Sequence, residues 1–80
     1  MPTEMETKPR EWLEGASLRL ANQQLEVRGD LMQVKIRALY QAGSGPNWEV
    51  AEFVPPLPPI AARAALDAIS VLTGNYALAH

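Results

Sequence analysis

Four of the five residues from Pro55 to Pro59 are proline, and no other feature limits the possible folds of this chain as sharply. Each proline lacks a backbone donor and holds φ at about −65°, so the run can be neither helix interior nor central strand. It must form a stiff, polyproline-like connector. Pro59 has a second use, because the first turn of a helix accommodates proline. A strand is therefore expected to end before the run and a helix to begin at its close.

The helix spans Ile60 to Thr73, which is rich in alanine and leucine and contains neither glycine nor proline. Gly74-Asn75 reads as a left-handed cap. The polar residues Arg63, Asp67, Ser70 and Thr73 fall on one stripe, and Arg63 with Asp67 can pair for roughly 0.3 kcal/mol. Every other position is Ala, Leu, Ile or Val, which makes the apolar surface wider than the stripe of about 100° needed to cover a single sheet. Ala61, Ala62, Ala64, Ala65 and Ala68 are small enough for another backbone to approach closely. They form the candidate surface for a protein partner, including a second copy of the chain. Alanine's helix propensity is the plain alternative explanation. Tyr76 and Leu78 alternate beyond the cap and can dock on the core or form a short edge strand.

Upstream of the prolines, Trp48 to Val54 is the clearest strand, carrying Trp, Val, Phe and Val with Glu49 and Glu52 between them. Residues Leu31 to Gln41 also alternate. Met32, Val34, Ile36, Ala38 and Tyr40 share one face, and the other is largely polar. Residues 42–47, Ala-Gly-Ser-Gly-Pro-Asn, supply a hairpin connection. Lys35 and Arg37 are then expected to face Glu49 or Glu52 across an antiparallel pair. Being three apart on a strand, Glu49 and Glu52 are expected on opposite faces.

Two readings fit residues Ala16 to Arg28. Leu18 and Leu20, then Leu25 and Val27, alternate with polar neighbours, as in two strands joined by residues 21–24. A helix continuing from Trp12 through Ala16 and Leu20 instead places Gln23 and Gln24 where apolar residues should recur. The strand reading fits the leucines better. Pro9 to Gly15 is expected to form one or two helical turns, and Gly29-Asp30 a turn. Residues 1–8 read as a flexible leader and 9–80 as one domain.

Catalytic chemistry has little to work with. The chain has no cysteine, and its one histidine is His80, the last residue. Disulfide frameworks, zinc ribbons and the usual nucleophile–base pairs are therefore absent. The serines lie in no nucleophile elbow or phosphate loop. No metal site or cofactor is expected. Arg28-Gly29-Asp30 matches an adhesion tripeptide, but a turn explains it. Pro55–Pro58 and Pro56–Pro59 have the spacing of a proline-rich ligand, yet no basic residue flanks them closely.

With 48% hydrophobic and 20% charged residues the chain is globular, and its net charge of −2 gives no general attraction to nucleic acid or anionic lipid. No segment approaches the roughly 18 apolar residues of a membrane span, and no signal-peptide stretch is evident, so a cytoplasmic location is expected. With 80 residues, a core contributes only about 3–5 kcal/mol, and oligomerisation is the supplement left open.

The expected fold is α+β: a small antiparallel sheet of three to four strands under the C-terminal helix, with a short N-terminal helix. Leu18, Leu20, Leu25, Val27, Val34, Ile36, Trp48, Val50, Leu66, Ile69 and Leu72 are the expected core. A non-enzymatic protein-interaction or homodimerisation module is the leading functional reading. Nucleic-acid binding through Arg28, Lys35 and Arg37 is the alternative, weakened by the acidic residues among the same strands.

Overall fold

A computed structural model describes residues 6–39 and 46–79. Its elements run β1 (Glu6–Lys8), α1 (Arg10–Asn22), β2 (Gln33–Ala38), β3 (Trp48–Val54), α2 (Pro59–Asn75) and β4 (Tyr76–Leu78). The class is α+β, but the strands do not form one sheet. β2 and β3 make an antiparallel hairpin, and β1 and β4 make a separate parallel pair. Residues 1–5 of the expected leader and most of the expected hairpin loop lie outside the described residues, as do Tyr40 and His80, while Glu6–Lys8 belong to β1.

The main departure from expectation is α1. It continues to Asn22, and residues 23–29 form turns, so Ala16 to Arg28 contain no strand. Pro9 caps the helix in an extended conformation, Glu11 lies in its first turn and Arg19 in its last, each matching the helix dipole. Its buried residues are Leu13, Ala16, Ser17 and Ala21, which share one helical face. The two-residue alternation accounts only for the leucines. Small residues complete the helical pattern instead, and Leu18 and Leu20 are left half-buried at its margins.

α2 begins with Pro59 at its first position, as its sequence requires. Its buried residues are Ala61, Ala65, Ile69 and Leu72, on a face that packs against α1. Small side chains on both helices permit a close approach of their axes. The helix runs through Gly74 and Asn75 without a left-handed cap. It stops where Tyr76 turns extended at φ −133° and enters β4.

The hairpin register places Lys35 opposite Glu52 and Arg37 opposite Glu49. Both pairs are ion pairs, Lys35 to Glu52 at 3.4 Å. Between them the register slips by one residue: Ile36 pairs with Val50, and Ala51 is the extra residue of a bulge. The bulge corrects the expectation for the two glutamates. It returns Glu49 and Glu52 to the same face, above Lys35 and Arg37, and returns Val50 and Phe53 to the core side.

Side chains tie these pieces together through backbone groups. Arg10 donates to the carbonyl of Ile36 at 2.6 Å, and the N–H of Ile36 donates to the Glu14 carboxylate at 3.0 Å. Residues of α1 thereby occupy the outer edge of β2, which pairs with no other strand among the described residues. Asn47 holds β4 by accepting from the Leu78 N–H at 2.8 Å and donating to its carbonyl at 3.0 Å. Trp48, fully buried, donates from its indole N–H to the Tyr76 carbonyl at 2.9 Å. Lys8 lies 4.9 Å from the Trp12 ring, which meets Tyr76 edge-on, so β1, α1 and β4 join in one cluster.

Candidate functional site

A prominent concavity among the described residues is an open groove of about 930 Å³ between two segments that are distant in sequence. One wall is the turn from Leu25 to Asp30. The other is the proline connector and the start of α2, residues 55–61.

Both walls are stiff for local reasons. In the first, the N–H groups of Val27 and Arg28 donate to the Gln24 carbonyl, and that of Asp30 to the Val27 carbonyl. Asn22 closes the loop at its base, accepting from the Leu31 N–H and donating to its carbonyl, both at 3.1 Å. Val27 is buried and anchors the turn to the core. Arg28 and Gly29 both have positive φ, 60° and 71°. Glycine adopts this region freely, whereas the Cβ of arginine meets steric opposition there. In the second wall, the four prolines hold φ at about −65°, and Pro58 is polyproline-like at φ −63° and ψ 158°. Leu57 packs against the core and pins the connector from beneath.

The groove's mouth is apolar and wet. Leu25 is 88% exposed and Ile60 is 76% exposed, although both line it. Leu25, an expected core residue, is thus outside the core. The reason is the turn itself: the chain reverses at Gln24–Gly29 and can bury only one of its two apolar residues, Val27. Leu66, also expected in the core, is 46% exposed on the outer face of α2.

The candidate partner surface on α2 divides. Ala61 and Ala65 are buried inside this chain, while Ala62, Ala64 and Ala68 are half-buried. The alanine face is thus partly taken up by the chain's own packing. The outer face of α2 carries Arg63, Asp67 and Ser70 among its exposed residues, so it is mixed rather than apolar.

The structure does not gather the three candidate nucleic-acid contacts. Lys35 and Arg37 share a strand face where each meets a carboxylate, and those four charges cancel. Arg28 lies on the groove instead. A second concavity, around Trp12, Arg19, Gln23 and Leu72, is smaller, about 290 Å³.

Among the described residues, no three His, Cys, Asp or Glu side chains come together as metal ligands. No described helix is long and apolar enough to cross a membrane. Ser17 is fully buried and its hydroxyl has no hydrogen-bond partner among the described residues. It lies on the inner face of α1, away from the groove lining.

Sequence reasoning missed the groove. The proline run and the Gly29-Asp30 turn were both legible signals, but nothing local indicated that they would face each other. No protein-family model, curated protein or solved structure matches the chain.

Proposed function

We propose that this chain is a non-enzymatic protein-interaction module whose docking surface is the groove between the 25–30 turn and the proline connector. The observation that carries this reading is the exposure of Leu25 and Ile60 on opposite walls of the same concavity. Large apolar side chains left in water beside a groove mark a surface that gains from being covered. The prolines on one side and the Asn22 closure on the other hold the walls in place, so little ordering entropy is lost when a partner binds. The alanine face of α2 supports docking less well, because Ala61 and Ala65 are buried inside the chain and Ala62, Ala64 and Ala68 are half-buried.

Panning a random-peptide display library on the sparsely immobilised chain tests the proposal. Enriched peptides should share an apolar anchor, and Leu25→Asp together with Ile60→Glu should abolish their binding. A library that enriches nothing, or peptides that bind the double variant equally well, would remove the groove as a docking surface.

A further inference from the structure

We infer that the occupant of the groove is the same face of a second copy of this chain, arranged about a two-fold axis so that Leu25 of each copy enters the groove of the other. This pairing rests on the groove being a docking surface, as proposed above, and it names what docks there.

Shape favours a second copy. A two-fold contact is self-complementary: whatever one copy offers, it must also receive. This surface offers a protruding leucine, 88% exposed, directly beside a hollow walled by prolines and Ile60. Knob and hole therefore lie on one patch, and a two-fold axis uses both twice.

Charge points the same way. Glu26, Arg28 and Asp30 are exposed on the groove wall, and none forms an ion pair among the described residues. A uniformly basic partner would satisfy the two acids and oppose Arg28. A uniformly acidic one would do the reverse. A copy of the same rim answers both, because Arg28 can meet the acidic pair of the other copy while the other copy's arginine meets this one. Such complementarity fixes orientation and register, and the apolar contact supplies the affinity.

The backbone of Arg28 adds to this. Its positive φ, with Gly29 following in the same region, sets the side chain on the groove against steric opposition. A residue held in that region by its surroundings marks a place where position matters more than local comfort.

Sedimentation equilibrium of the full chain from micromolar to millimolar concentration tests the inference. The mass should climb from 8.8 kDa toward twice that value. Leu25→Asp should weaken association by about thirtyfold or more, as expected for a central apolar anchor. Leu25→Ser serves as a second variant if the aspartate disturbs the turn, with circular dichroism confirming that each variant folds. Arg28→Asp, chosen because aspartate tolerates positive φ, should weaken association by about tenfold. Mixing that variant with a chain carrying Glu26→Arg and Asp30→Arg should restore a mixed dimer tighter than either variant forms alone.

A chain that stays monomeric throughout overturns the second copy as occupant. If the peptides still bind, the docking surface itself stands. A dimer that ignores Leu25→Asp and Ile60→Glu places the contact elsewhere and also overturns the inference. Loss of the docking reading itself requires the peptide experiment to fail independently.

Discussion

Leu25 and Ala65 exchange the places that their side chains would ordinarily claim. The leucine, a large apolar residue in an alternating stretch, is 88% exposed, while the alanine, in a helix with apolar surface to spare, is fully buried. The difference shows that burial follows the path of the backbone before it follows side-chain size. α1 and α2 pack against each other, and their buried faces carry several small residues, Ala16, Ser17 and Ala21 on one helix and Ala61 and Ala65 on the other. The 24–29 turn reverses too tightly to bury both Leu25 and Val27. The buried faces of the two helices thus combine small residues with Leu13, Ile69 and Leu72, while the groove mouth is left with the exposed Leu25 and Ile60.

Ala65 is where this contrast is most exposed to refutation. Glutamate there must bury a charge in a space that held a methyl group, so Ala65→Glu should cost about 4 kcal/mol or more and leave the chain unfolded by circular dichroism. A folded Ala65→Glu variant would return the alanine face to the surface and undo the contrast.

Two leucines give the next largest effects. Leu13→Ala empties a fully buried site and should lower the unfolding free energy by about 3 kcal/mol in urea melts. Leu25→Ala, measured in the same way, should change it by less than about 0.5 kcal/mol. Equal losses would mean that the 25–30 turn packs inward.

Smaller effects are expected within α1, with opposite physical origins at neighbouring positions. Ser17→Ala removes a buried hydroxyl that has no partner among the described residues and should stabilise the chain by about 1 kcal/mol. A loss of that size would reveal a hydrogen bond to the hydroxyl. Gly15 is exposed in the same helix, and a Cβ added there meets nothing within 4 Å. Gly15→Ala should therefore raise stability by about 0.5–1 kcal/mol through helix propensity alone, readable as a higher thermal midpoint.

How much of this was legible depends on the range of the interactions concerned. The proline run ends β3 and starts α2 as expected, because missing N–H groups and a fixed φ act within a few residues. The hairpin and its ion pairs also follow from alternation and charge. The bulge was only half visible. The apolar phase Trp48, Val50, Phe53 breaks at Ala51, yet the break acquires meaning only when Ile36 fixes the opposite register. Of the β1–β4 pair, only β4 was visible, in the alternation of Tyr76 and Leu78; its pairing with β1 was not, since it joins the two ends of the described chain. For the candidate site, each wall was foreseeable as a turn or a connector, but their meeting was not.

Local sterics and short-range periodicity were enough to specify the α+β class, the connector, the β2–β3 hairpin and the long second helix. Other features came only with folding in three dimensions. Residues 16–22 became helix, the strands formed two sheets rather than one, and Ala61 and Ala65 turned inward while Leu25 and Ile60 faced water. Local preferences in these regions are nearly balanced. Where helix and strand patterns both fit, the packing of α1 against α2 and its hydrogen bonds to the edge of β2 tip the balance.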